Sequence, residues 1–350
     1  MHEDFVIIGG GVAGLCAAIR LTELGIKPLV LEGGSYPCHK VCGEFISPEC
    51  LPKLRQWGIE TIPIYEMNWR STNFAFNFNF PQPAGSLSHV KLDPILANQA
   101  QVQGAKILTN RSVKSFYPKS HANQTHVIEL NDGEVIRANH AIIATGKIPG
   151  YLQKKPHFPY VGIKAHFHGL PIENRLEMIS FRGGYIGLAP IENHAFNVAC
   201  LVKQTVANRQ GGAEKFIKKL IVEHPILKKY FIDSRPLFSW MTAPIPAFGI
   251  RDTPKWIDVY FIGDAAASIS PACGNGLSMA ISGGCLSAEY AVESRFQDFK
   301  TDWNQRCHSQ IKWGNMLNQI MLNPFLSQIG IKVATIFPAL AHQFFFNTRQ

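Results

Sequence analysis

The chain opens with an unbroken apolar run, Phe5-Val6-Ile7-Ile8, which ends on Gly9-Gly10-Gly11-Val12-Ala13-Gly14. A second run, Pro28-Leu29-Val30-Leu31, closes on Glu32. This pattern predicts a buried strand, a glycine turn, a helix and a second strand. Ser47 before Pro48 predicts a helix start and Gly58 its stop; Asp93-Pro94 starts another that ends at Gly104. From Asn73 to Phe80 the chain alternates, with Phe74, Phe76, Phe78 and Phe80 on one face and Asn73, Asn77 and Asn79 opposite. Period two predicts a strand, its aromatic face read as core ahead of a substrate wall. Strands are expected at about 105–109, 112–117, 125–130 and 134–138, with Asn131-Asp132-Gly133 as a hairpin turn, and a buried strand at 141–144 before Gly146.

Short strands follow at Val161 to Phe167, Leu176 to Phe181, Tyr185 to Ala189 and Phe196 to Val202, then a helix from Ala213 to Glu223. This block reads as a mostly antiparallel sheet. Val259 to Ile262 returns to a buried, parallel-type strand, followed by Gly263-Asp264-Ala265-Ala266, Pro271 to Gly276 and a long helix to about Ser294. The fold class is therefore α/β, with a discontinuous Rossmann-like domain, an inserted sheet and a C-terminal helical segment. The expected boundaries are 1–70, 85–158 and 248–292 for the nucleotide domain, 71–84 and 159–247 for the substrate domain, and 293–350 for the helical segment.

Each part of the opening motif answers a need of a dinucleotide. Gly9 permits the tight turn, Gly11 admits the pyrophosphate to the backbone, and Gly14, with Ala18, lets the helix sit close to the sheet. The amides of Val12 and Ala13 face the phosphates, and Glu32, followed by Gly33, can accept from a ribose diol. A glycine-rich turn without a ligand would explain the glycines but not the acid at that distance. The second strand-Gly-Asp element changes the reading from a nicotinamide cofactor to FAD. Gly263 and Asp264 are placed for ribitol hydroxyls, and Gly274-Asn275-Gly276-Leu277 opens a helix whose positive end suits the flavin pyrimidine ring. There is no second GxGxxG, so NAD(P)H is expected as a transient electron donor.

Composition narrows the partners. The 350 residues are 46% hydrophobic with a net charge of +9. The basic residues are scattered, with pairs at Lys154-Lys155, Lys218-Lys219 and Lys228-Lys229. That spread suits an anionic cofactor or acidic lipid and argues against nucleic acid. Of eight cysteines only Cys38, Cys42 and Cys50 cluster, without a zinc pattern, so no metal is expected. A strand beginning within five residues of Met1 leaves no room for a signal peptide, and reduced thiols in the cytoplasm are expected. No stretch reaches the length of a membrane span. Ile329 to Phe346 is apolar with Pro338 inside it: a broken helix that packs on the core or touches a membrane surface, core packing being placed first.

The order of GxGxxG and Glu32, then Lys40-Val41-Cys42-Gly43-Glu44-Phe45-Ile46-Ser47-Pro48, then Gly263-Asp264 with Pro271 and Gly274-Asn275-Gly276, resembles one family. It is the geranylgeranyl-reductase-like branch of the FAD flavoproteins with the p-hydroxybenzoate hydroxylase fold, over about residues 4–290. The resemblance implies bound FAD, a three-layer ββα FAD domain and a substrate sheet over the isoalloxazine. It implies that Lys40 to Glu44, with Val41, Cys42 and Gly43, form the loop beside the flavin. His89 falls where relatives often carry an FAD-contacting arginine, and Val113 at the strand used for a backbone contact to adenine. Tyr185 to Pro190 keeps the tyrosine and proline of the prenyl-reductase motif but not its tryptophan and phenylalanine. Thr145-Gly146 replaces the Asp-Gly pair of aromatic hydroxylases, and the halogenase Trp-x-Trp-x-Ile-Pro run is missing.

Cys42 can be a small residue that lets the loop approach the ring, or a thiol that steers substrate or donates a proton. Tyr185, Trp240, His166 and Pro271 are candidate pocket residues; His166 shares a strand face with His168, for which a partly exposed position is placed first. The expected activity is FAD-dependent oxidation or reduction of a hydrophobic small molecule. Monooxygenation of an aromatic or polyketide-like compound is placed first, and reduction of an isoprenoid or other carbon–carbon double bond second. A non-catalytic flavin sensor or carrier is the rival from another class. The oligomeric state is left open.

Overall fold

The computed structural model describes residues 1–146 and 157–349; the Lys154-Lys155 cluster lies outside them. The opening apolar run forms β1 (His2–Ile8), in which Val6 and Ile7 are fully buried. Gly9 turns the chain at φ 106°, α1 (Val12–Glu23) follows, and β2 (Leu29–Leu31) pairs parallel to β1. β3 (Phe45–Ile46) and the short α2 (Leu51–Gln56) come next, and then β4 (Ile62–Ser71) and β5 (Phe74–Ser86) form a hairpin. α3 (His89–Val102) begins four residues before the expected Asp93, because the Ser88 hydroxyl caps it by accepting from the Lys91 amide.

After β6 (Lys106–Leu108), β7 (Val113–Tyr117) and β8 (His126–Leu130), the chain enters β9 (Val135–Ile143). Two strands were expected here, yet the strand runs through without a break. The polar pair between the two apolar halves is held in place: Asn139 donates to the Asp4 carboxylate at 2.9 Å and the His140 ring stacks on Phe5 at 4.5 Å. The first half of β9 pairs antiparallel with β8, and the second half is flanked by parallel β1 and β17 (Val259–Phe261). The seven-stranded sheet has the order β6-β2-β1-β9-β8-β7, with β17 added on β9. Tyr260 of β17 faces the helices, 5.5 Å from the Phe299 ring, whereas Phe261 faces Trp256, which stacks on Phe116 of β7. Helices, parallel sheet and meander are thus three layers.

The second sheet has nine strands. β10 (Tyr160–His168), β11 (Arg175–Phe181), β12 (Gly184–Ile191) and β13 (Ala195–Lys203) form its centre, and β14 (Arg235–Pro236) and β15 (Met241–Ile245) pair with β10. β4 joins β11 as a parallel neighbour, and β5 and β3 complete the far edge. The sequence reading placed residues up to 70 with the nucleotide domain; β4 lies in the second sheet because its Trp69 and Met67 pack on that sheet's inner face. The outer face is covered by α4 (Gln204–Arg209), α5 (Ala213–Glu223) and α6 (Pro225–Tyr230), through Phe216, Ile217 and Leu227.

The short β16 (Gly249–Ile250) and β18 (Ala267–Ser268) pair with one another near the start of α7 (Gly276–Val292). α7 lies directly on α1: a Cβ on Gly284 would come within 2.4 Å of the Ala13 carbonyl oxygen. α8 (Phe296–Met321) joins the halves, with Phe299 against β17 and Asn318 donating to the Tyr160 hydroxyl at 3.1 Å. The chain then folds into α9 (Pro324–Ile336) and α10 (Pro338–Asn347), which meet at 112°. Core packing covers one face of α9 through Ser327, Ile331 and Ala334, while α10 has no buried residue.

Candidate functional site

A cavity of about 700 Å³ lies between the two sheets, within the range that holds cofactors and drug-sized ligands. At one end its wall is bare backbone. Neither α1 nor α7 has a side-chain cap at its N-terminus, and Gly11, Val12, Ala13, Gly276 and Leu277 line the cavity there. Free first-turn amides and a positive dipole end suit an anion. A Cβ on Gly11 would meet Lys40 Nζ at 3.5 Å, and one on Gly43 or Gly276 nothing within 4 Å, so these positions give onto open space. Gly14 is used differently: a Cβ there would lie 2.0 Å from the Gly9 carbonyl oxygen. Gly14→Val is expected to push α1 off its turn, costing about 1–3 kcal/mol by overpacking and leaving purified protein without bound flavin by absorbance. Gly249→Ala, with nothing within 4 Å, is the neutral control.

Asp264 follows Gly263 on the cavity wall, and its carboxylate takes no hydrogen bond from the described residues. The Asp264 side chain is exposed to the cavity, and the protein packed around it pushes its carboxyl up to about 6, with Arg251 pulling it back. A polyol that donates hydroxyls satisfies such a group. The donor set and the glycine cradle therefore fit a flavin dinucleotide.

The loop from Lys40 to Phe45 forms the next part of the wall, pinned from both sides. Gly162 on β10 admits it, since a Cβ there would meet Val41 at 2.8 Å. Lys164 Nζ donates to the Lys40 carbonyl at 2.9 Å and Asn197 Nδ2 to the Cys42 carbonyl at 3.0 Å. Glu44, fully buried at φ 55°, accepts from the His89 amide at 2.8 Å, from the fully buried Lys164 and from His166 Nε2. Burial alone would raise its carboxyl, but His166 and Lys164 outweigh that and hold it below the usual range.

A second group sits beside this one. His89 Nδ1 lies 2.9 Å from one oxygen of Asp93, and Lys40 donates to the other at 2.7 Å. His89 and Cys42 both line the cavity, where the Cys42 sulfur accepts from the Glu44 amide at 3.4 Å. Burial would lower the His89 pKa, yet the bond to Asp93, with Cys42 nearby, prevails and raises it to about 9. A thiol, an imidazole that is protonated at neutral pH and an orienting carboxylate thus stand in series at the wall.

The other end of the cavity is apolar. Trp69, Met178, Tyr185 and Leu201 of the second sheet form one side, and Met316, Leu317, Ile320 and Met321 of α8 the other. Phe76, Phe78 and Phe80 also line it, so the aromatic face of β5 is a cavity wall rather than core alone. The hairpin with β4 turns it inward against α10, where Phe78 and Phe80 contact Phe345.

Of the residues singled out from sequence, Gly11, Val12, Ala13, Lys40, Val41, Cys42, Gly43, His89, Gly263, Asp264, Gly274, Gly276, Leu277, Tyr185 and Pro271 come together on the cavity. Gly9 and Gly14 shape the turn behind it. Glu32 lies beyond the cavity, its two oxygens accepting from the amides of Gly10 and Gly34 at 2.7 and 2.8 Å. Gly33, beside Ser112, and Val113, on β7, sit near the same end and do not line the cavity. Three residues depart from expectation. Asn275 turns away, donating to Gln310 at 3.0 Å and to the Thr348 carbonyl at 2.8 Å. Trp240 packs on Phe167 at the outer face of the sheet, with the α5–α6 cluster. His166 is 4% exposed and bound to Glu44, so it is a strut under the loop, neither a pocket wall nor a surface group. Sequence reasoning passed over Asp93, Lys164 and Glu44 as functional groups. Two signals were available: Asp93 stands one helical turn from His89, and Lys164 interrupts the apolar strand Ile163-Lys164-Ala165.

Residues 3–148 match the FAD binding domain family. The chain is 23% identical to a menaquinone reductase of Mycolicibacterium smegmatis, over 86% of this chain and 79% of that one. It is also 23% identical to digeranylgeranylglycerophospholipid reductase 2 of Methanopyrus kandleri, over 85% and 79%. The fold is that of the flavin-dependent brominase Bmp2, with a TM-score of 0.85 at 16% identity, covering 99% of this chain and 93% of the other. The cradle, the fold and the matched domain define an FAD-dependent oxidoreductase. A likeness to the geranylgeranyl-reductase-like branch extends over most of the chain in the match to the Methanopyrus kandleri reductase.

Proposed function

We propose that this flavoprotein reduces a carbon–carbon double bond in a long isoprenoid-type lipid. The observation that carries the reading is the form of the cavity: an apolar channel running from the Cys42 loop to α10, walled by aromatic and aliphatic side chains. A chain of apolar units fills such a space with little polar cost, and both reductase relatives act, by name, on lipids. FAD, when bound, supplies the hydride. The amides at the start of α1 and Lys40 would hold its pyrophosphate, Glu32 and Val113 the adenosine end, Asp264 the ribitol, and the start of α7 the ring's pyrimidine edge. Cys42 gives the proton that completes addition of two hydrogens across the bond, and His89 returns it to sulfur. NAD(P)H is the proposed transient donor, and the cytoplasm the proposed compartment, in keeping with eight free thiols.

Anaerobic incubation of chemically reduced enzyme with prenylated quinones and prenylated glycerolipids tests this. A product heavier by two hydrogens, formed without oxygen, is expected. Product that appears only with O₂ and gains an oxygen atom would instead establish hydroxylation, which the same cofactor residues serve.

A further inference from the structure

Eight of the 21 exposed large apolar side chains among the described residues lie between positions 325 and 346. Phe325, Ile329, Val333 and Ile336 recur at helical spacing along α9, and Phe337 and Leu340 continue the apolar patch across the corner onto α10. Ile336 is 68% exposed, Phe337 57% and Leu340 56%. A contiguous apolar patch of this kind marks an interaction surface. We propose that the α9–α10 corner docks on an anionic lipid bilayer and that lipid substrate passes between the two helices into the cavity.

Two further observations favour a bilayer over a protein partner. The first is charge. After Asp302 the chain carries no acidic residue, while Lys312 and Lys332 are basic and exposed. Lys332 stands among the exposed apolar side chains of α9, 4.8 Å above the Phe74 ring. A segment with apolar tips, exposed lysines and no acid of its own matches a negatively charged headgroup layer. The second is continuity. Val333 and Leu340 are exposed and also line the cavity, so the patch and the apolar channel share a rim. α10 separates the two with no residue of its own buried. At 13 residues α9 spans roughly 20 Å, too short to cross the hydrocarbon core, and the 112° corner fits shallow insertion.

The inference rests on the lipid-reductase reading for its substrate, but its test does not. Holoprotein is mixed with vesicles of phosphatidylcholine containing about one-third phosphatidylglycerol, without substrate, and floated on a density gradient. Co-flotation is expected, weakening in pure phosphatidylcholine. The double substitution Ile336→Asp with Phe337→Asp is expected to lower vesicle partition by about tenfold or more, with flavin content and secondary structure unchanged. Ile232→Asp, at an apolar position 71% exposed elsewhere, leaves partition intact. With substrate supplied, the double variant should lose turnover of vesicle-embedded lipid and keep turnover of detergent-dispersed lipid. Failure of the wild-type protein to float, or undiminished flotation of the double variant, overturns the proposal. A stable dimer that dissociates on the double substitution also overturns it, by showing that a second copy covers the patch. Flotation without reduction of any prenyl lipid would leave docking standing and remove the proposed reaction instead.

Discussion

Replacing His89 by asparagine is expected to slow double-bond reduction by about 10²–10⁴-fold, the usual worth of a positioned proton donor. His89 stands between the Cys42 thiol and the Asp93 carboxylate, so its loss removes the route by which sulfur regains a proton. Flavin content should be retained, because the glycine cradle is untouched. The signature is in pH. The imidazole is raised to about 9, so wild-type activity should hold through neutrality and fall as pH rises through about 9. The same group bears on stability, since its ordinary value is 6.5 and its folded value is higher. Its contribution is full below 6.5 and is lost as pH rises through about 9. A wild-type-minus-variant difference in denaturant midpoint that does not shrink over that window would count against the pairing. Cys42→Ser should mimic the loss of rate without moving stability in this way.

The second large effect lies at Glu44. Glu44→Gln is expected to destabilise the protein by about 3–5 kcal/mol, because it strands the fully buried Lys164 ammonium without a counter-charge. The folded Glu44 carboxyl is depressed, so its stabilisation is present above its ordinary value of 4.5 and is lost as pH falls below that. Chemical denaturation of the double variant Glu44→Gln with Lys164→Met separates the charge from the packing. It should recover a large part of the loss, since no buried charge then lacks a partner. A single variant as stable as wild type would show that the pair is solvated in solution.

The cofactor end of the site was legible in the sequence and the network beside it was not, for a physical reason. The glycine turn, Glu32, Gly263-Asp264 and the glycines at 274 and 276 are local devices, in which neighbours in sequence make the geometry. Glu44, Lys164 and His166 meet only because the loop from Lys40 to Phe45 folds across β10, a strand from a distant part of the chain. The aromatic alternation of β5 gave the strand correctly, but period two does not say whether a buried face meets side chains or a void. β4 was passed over because Pro63, Tyr65 and Glu66 disturb its alternation, and a register shift between Ile64 and Glu66 marks the same irregularity. Pro338 announced the break in the last helix, while the outward apolar face could be read only once α9 had its partners.

One feature of the nucleotide sheet sets the order in which the molecule can assemble. The inner edge of β9 at Ala141–Ile143 is capped by β17, which the ribosome delivers only after the whole second sheet has emerged. Until then that edge is an open row of amide donors and acceptors beside an apolar surface, a template for pairing with other chains. A fragment ending near residue 146 should therefore aggregate despite containing the matched FAD-binding stretch, and added β17–α7 peptide should rescue its solubility.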